Sequence, residues 1–186
     1  MARQTISDNA LLDTALDLFR THGAEGVSLS QLSQATGLEK ASLYYRFPGG
    51  KEEIILATLA SVGQWFENQL FPALRSPGPP RKRAAKAAEI LRAFYQDGAR
   101  SCVTDVLSLP GGSPQRHQAL QTAMEAWIAA FAALARESGL PPAAARQAAE
   151  EAVIRIEGSL VLSRVLANPA PFHRTLKQLP DLLTTR

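Results

Sequence analysis

Residues 40–51 hold the side chains best suited to chemistry. Lys40, Ser42, Tyr44, Tyr45, Arg46 and Lys51 bring cations, a hydroxyl and phenols into a few helical turns. Such groups bond phosphate oxygens and the edges of bases. Just upstream, Ser28 and Gln31 have the S-x-x-Q spacing of a capping box. A helix begun there aims free backbone N–H groups outward, where an anion can sit. Lys51 opens the following helix, and a cation beside a helix N-terminus suits the same ion. On residue types alone, a tyrosine pair partly buried in an ordinary helical core explains the run equally well.

Other chemistry lacks its residues. His22, His117 and His173 are far apart and show no metal-ligand spacing. There is no P-loop, no dinucleotide fingerprint and no nucleophile elbow. Cys102 is the single cysteine, so no disulfide forms within the chain and a reducing compartment fits. It reads as a small buried residue, with redox sensing left open. The expectation is no catalytic residue, no metal and no cofactor.

The elements that must position residues 28–51 are short helices. Leu11, Ala15, Leu18 and Phe19 fall on one face of a first helix, about Ser7 to His22, with Ser7 as cap and Gly23 as stop. A second helix runs Leu29–Thr36. Val27 and Leu32 can form its hydrophobic staple. Gly37 turns the chain into a third helix, Lys40–Phe47, with Leu43 and Phe47 inward. Two short helices joined by a tight glycine turn are a helix-turn-helix, whose second helix can enter a major groove.

Longer helices follow. One runs from Lys51 to about Phe71, with Ile55, Leu59, Val62 and Phe66 as its stripe. It spans about 30 Å and so belongs to both halves. After Ser76-Pro77-Gly78-Pro79-Pro80, helical spacing resumes over Arg81–Asp97, Ser101–Leu109, Gln115–Ser138 and 142–167. A loop at Leu109–Pro114 contains Pro110. Phe172, Leu176 and Leu179 mark a last short helix ended by Pro180. No stretch alternates with the period of a strand. The fold class expected is all-α: a three-helix, homeodomain-like helix-turn-helix domain over 1–50, then a helical ligand-binding and dimerisation domain over 51–186.

Composition permits this without deciding it. The chain has 186 residues, 46% hydrophobic and 20% charged, which excludes wholesale disorder. Twenty basic residues against 17 acids leave a formal +3. Within 1–51, Arg3, Arg20, Lys40, Arg46 and Lys51 balance Asp8, Asp13, Asp17, Glu25 and Glu39. The acids lie mainly on the first helix, and Lys40, Arg46 and Lys51 cluster on the proposed contact side, so segregation rather than net charge favours a polyanion. No apolar run is long enough for a membrane span. The expected location is the cytoplasm, with no membrane partner.

The run from Gly37 to Glu53, including Lys40-Ala41-Ser42-Leu43-Tyr44-Tyr45-Arg46-Phe47-Pro48-Gly49-Gly50-Lys51, resembles the TetR family signature. So does Leu11-Leu12-Asp13-Thr14-Ala15-Leu16-Asp17-Leu18-Phe19. The extra glycine before Lys51 and the late Glu157-Gly158-Ser159-Leu160 are similar to the LmrA/YxaF-type branch. The resemblance implies that Lys40, Ala41, Ser42, Tyr44 and Tyr45 contact DNA and that Ser28 and Lys51 clamp phosphates. Ser30, Glu39 and Arg46 complete the expected DNA-contact set. Two positions depart from the pattern. Glu39 replaces the common serine, and an acid there either accepts from a cytosine amino group or caps the helix. Arg46 stands where histidine is usual and adds a phosphate contact.

For the remainder, the resemblance implies an effector site and a homodimer. Trp65, Phe66, Phe94, Tyr95, Cys102, Val106, Met124, Trp127 and Phe131 can line one apolar cavity, with Arg155 facing it, or can simply form the core. Gly158 in mid-helix asks for a packing reason, such as a close symmetry-related helix. The dimer set expected is Val153, Glu157, Gly158, Leu160, Val161, Phe172, Leu176 and Leu179, on the last two helices. The function expected is a ligand-responsive repressor that binds a near-palindromic double-stranded operator as a dimer. A small apolar or aromatic effector would release it. Two alternatives stay open: a DNA-binding dimer without an effector, and a helical enzyme or adaptor with a vestigial helix-turn-helix.

Overall fold

The structure, a computed structural model, describes residues 6–109 and 111–185. Arg3 of the charge count and Pro110 of the expected loop lie outside the described residues. The elements in chain order are α1 (Asp8–Gly26), α2 (Leu29–Thr36), α3 (Lys40–Arg46), α4 (Gly50–Trp65), a π-turn (Phe66–Leu70), α5 (Phe71–Arg75), α6 (Pro80–Phe94), α7 (Val103–Leu107), α8 (Pro114–Glu137), α9 (Pro142–Val165) and α10 (Ala170–Leu183). Among the described residues there is no strand, and the fold is all-α.

Packing divides the chain into two compact units. One holds the described residues up to Gln64 together with 103–121; the other holds 65–102 and the described residues from 122 onward. The boundary expected at residue 50 follows the helix-turn-helix motif. Packing carries the first unit further, because Ile54, Ile55, Leu59, Val103 and Leu107 complete its core around Leu11, Phe19, Leu32 and Leu43.

Local physics explains the first unit's helices. Ser7 Oγ accepts the Ala10 N–H at 3.2 Å and caps α1. Gly23 leaves the helical path with φ +71°, so the first helix stops there as expected, and a separate short turn across the kink carries α1 to Gly26. At α2 the capping box is complete: Gln31 N–H donates to Ser28 Oγ (3.2 Å), and Ser28 N–H donates to Gln31 Oε1 (2.7 Å). Gly37, at φ +71°, supplies the left-handed residue that ends α2. Ser33 Oγ then donates to the Leu38 carbonyl, holding the turn shut.

In the second unit α10 packs on α9 and α6, and α5 on α6. Small residues make this close: Ala84, Ala87, Ala88, Ala145, Ala149 and Ala152 are buried. Two expected boundaries move. α6 ends at Phe94, not Asp97, and Gln96 and Asp97 take positive φ. Pro180 does not end the last helix; α10 continues to Leu183. A proline inside a helix costs about 3 kcal/mol. Here the turn it occupies buries Leu179, Pro180 and Leu183, and fully burying one leucine returns about 1.5–3 kcal/mol.

Candidate nucleic-acid interface

α3 shows two sides. Leu43 is buried in the core with Phe47 just past the helix, while Lys40, Ala41, Tyr44 and Tyr45 face outward. Tyr45 is 88% exposed and Tyr44 51%. Tyr44 still has a neighbour: a Cβ on Gly50 would stand 3.5 Å from its Cε1. Gly50 has φ +66°, so this glycine both turns the chain into α4 and lets the Tyr44 ring lie close. Ser42 is half-buried, and Ser28 and Ser30 are exposed at the start of α2.

Three charged positions differ from the sequence expectation in detail. Glu39 stands at the cap position of α3 but makes no side-chain cap bond; its backbone carbonyl accepts the Ser42 and Leu43 N–H groups at 2.9 and 3.1 Å. Arg46 turns back to α1, donating to the Ile6 carbonyl (2.9 Å) and pairing with Asp8 (3.0 Å). Lys51 donates to the Ala24 carbonyl (3.0 Å) and lies 3.6 Å from Glu25. The N–H of Gly49 is likewise engaged, donating to Glu53 Oε2 at 2.7 Å. Arg46 and Lys51 therefore hold the ends of α1 against α3 and α4.

The aromatic residues expected in the second half come together in the second unit. Trp65 and Phe94 lie 4.2 Å apart between ring centroids, Phe66 contacts Phe94 (5.5 Å) and Trp127 (5.3 Å), and Trp127 contacts Phe131 (5.9 Å). Tyr95 stacks edge-on against Phe94 and donates its hydroxyl to Cys102 Sγ at 3.4 Å. The π-turn just after Trp65 inserts an extra residue per turn where these rings gather. Trp127 Nε1 is buried, with no hydrogen-bond partner among the described residues. Met124 is half-buried on α8. Val106 packs instead on the first unit's core, and Arg155 is exposed and paired with Glu151.

The dimer set separates in the same way. Val153, Leu160, Phe172, Leu176 and Leu179 are spent inside the chain, between α9, α10 and their neighbours. Gly158 and Val161 are exposed and Glu157 is half-buried. Ile154, Leu162, Val165 and Leu166, which the sequence reading did not single out, are exposed beside them, up to 77%. The sequence over 153–166 is apolar on more than one side of the helix, which is how apolar residues come to stand on the outer face as well as the buried one. A Cβ on Gly158 would meet nothing within 4 Å.

Comparison with known proteins agrees with this layout. Residues 11–58 match the model of bacterial regulatory proteins of the tetR family, and residues 96–178 match the LmrA/YxaF-like transcriptional regulator C-terminal domain. The chain is 27% identical to the HTH-type transcriptional regulator LmrA of Bacillus subtilis, over 95% of this chain and 96% of that protein. Its fold is similar to a TetR transcriptional regulator from Legionella pneumophila (TM-score 0.86, 16% identity, covering 97% and 100% of the two chains). It is also similar to a cysteine mutant of the TetR family regulator CifR, complexed with 26bp double-strand operator DNA (TM-score 0.75, 22% identity, 97% of each chain). A helix-turn-helix presenting an exposed third helix, followed by this helical C-terminal half, makes the chain a member of the TetR family of transcriptional regulators.

Proposed function

We propose that this regulator is a dimeric, ligand-responsive repressor that acts in the cytoplasm on a near-palindromic operator. The observation that carries the reading is Tyr45, a large aromatic side chain left 88% exposed beside Lys40 on a short helix. A ring held in water on a well-anchored helix is suited to a partner that covers it. Lys40, Ala41, Ser42, Tyr44 and Tyr45 make the base and phosphate contacts, with Glu39 facing the same groove and Ser28 and Ser30 meeting the backbone. Arg46 and Lys51 act by positioning, because their cationic groups are already hydrogen-bonded within the chain. In a dimer the two recognition helices enter successive major grooves about 34 Å apart.

The dimer forms through the exposed apolar row of α9, Ile154, Val161, Leu162, Val165 and Leu166, with Gly158 allowing close approach of its twin. The effector is a flat, mostly apolar molecule that enters among Trp65, Phe66, Phe94 and Trp127. Trp127 Nε1 supports this, since a donor-only group buried without a partner costs about 1–3 kcal/mol and suits a ligand with an acceptor oxygen. The tight ring contacts favour a second reading, in which these aromatics are simply core and the dimer has no effector.

Fluorescence anisotropy at fixed salt tests the main reading. A palindromic sequence from upstream of the gene should bind far more tightly than random DNA of equal length. Equal affinity for both would overturn it. A thermal-shift screen with aromatic compounds separates the two readings of the second unit.

A further inference from the structure

Arg116, at the start of α8, is 3% exposed and takes part in none of the contacts assigned above. Its guanidinium grips Glu52 with two hydrogen bonds, one from Nε to Oε1 at 3.1 Å and one from Nη2 to Oε2. Nη1 lies 3.6 Å from Glu25 Oε1. Ser113 Oγ donates to Glu52 Oε1 at 2.6 Å and accepts the Arg116 N–H at 3.0 Å. Glu25 is shared with Lys51 on its other oxygen. The loop before α8 is shaped around this guanidinium: a Cβ on Gly112 would stand 2.8 Å from Arg116 Cδ and 3.1 Å from Nε.

The place of these acids gives the cluster its meaning. Glu25 sits in the last turn of α1, two residues before the chain enters α2 through Val27 and Ser28. Glu52 sits in the first turn of α4, just after α3 leaves through Phe47 and Pro48. One guanidinium therefore faces both the entry and the exit of the helix-turn-helix. Two monodentate surface pairs would be worth little. A bidentate pair with a third hydrogen-bond partner, its guanidinium buried and its carboxylate half-buried, is geometrically demanding, and losing Glu52 leaves the buried charge of Arg116 stranded.

We infer that Arg116 is a positioning residue for DNA readout, a latch through which the first turn of α8 sets the frame that holds α2 and α3. The inference rests on the DNA-binding reading above.

Three variants test the latch, and their charges differ. Arg116→Met removes a positive charge, Glu52→Gln removes a negative one, and Gly112→Ala changes none while crowding the guanidinium. A field effect on DNA would move the first two in opposite directions. The latch weakens specific operator binding in all three, by about tenfold, a usual size for coupling between separate sites. Affinity for random DNA and the dimer's sedimentation stay as in the wild type. Adding Glu52→Gln to Arg116→Met should cost little more than Arg116→Met alone. Opposite shifts for the charge variants, or unchanged operator affinity in folded Gly112→Ala and Glu52→Gln, would overturn the latch. If Arg116→Met does not fold, those two milder variants decide alone. Wild-type protein with no operator preference would instead overturn the DNA-binding reading.

Discussion

Lys40 and Tyr45 are both exposed on α3, and neither supports the core. Replacing either with alanine should change stability by no more than about 0.5 kcal/mol, as surface positions usually do. Operator binding should weaken by about 1–3 kcal/mol if the lost contact reads a base. Loss of a phosphate contact would instead weaken all sequences alike and lower the salt slope by about one. Titrations at several salt concentrations separate the two roles. Glu52 allows a prediction in pH. The Arg116 guanidinium hydrogen-bonded to it, helped by the Ser113 hydroxyl, holds its carboxyl below the usual carboxylate range, while partial burial opposes this. A depressed carboxyl contributes stability in full above its unfolded pKa of about 4.3 and loses it as pH falls through the lower folded value. Glu25 and Lys51 are the other charged groups close by. Glu52→Gln should therefore melt below wild type at pH 7, and the gap in Tm should close as pH falls below about 4, read by circular dichroism.

At the scale of elements, α2 is defined by its cap and its single buried leucine, Leu32. Gln31→Ala removes half of the capping box and should cost roughly 1 kcal/mol in denaturant unfolding. Ser28→Ala should cost a similar amount and weaken DNA binding as well, because Ser28 also faces the proposed phosphate. If both variants lose affinity equally, Ser28 acts only as a cap. Both the box and the turn at Gly37 were legible in the sequence, since they depend on neighbours three or four residues apart. Pro180 was not. Its local cost argues for a stop, and only the burial of Leu179 and Leu183 by α6 and α9 explains why α10 runs through it.

At the scale of the whole molecule, the proposed dimer rests on the outer face of α9. Leu162→Glu combined with Val165→Glu places two charges in an exposed apolar row and leaves the buried face of α9 untouched. Sedimentation at micromolar concentration should then show a monomer with wild-type helix content, and operator affinity should fall steeply because two half-sites are no longer bound together. A persistent dimer would place the interface elsewhere.

The sequence alone determined the all-α class, the helix-turn-helix and its caps, because periodicity and capping are local and carry their physics within one turn. It also singled out aromatics that the fold gathers in the second unit, since large rings must be buried somewhere. Tertiary structure decided what each residue at 28–51 is free to do. Arg46 and Lys51 read as phosphate ligands in the sequence, and the fold gives each a hydrogen bond within the chain, to the backbone carbonyls of Ile6 and Ala24. Val153 and Leu160 read as interface until α9's neighbours covered them and left Ile154 and Val165 outside. Arg116 gave no signal at all, because the two acids it holds lie more than sixty positions away, and no spacing rule reaches that far.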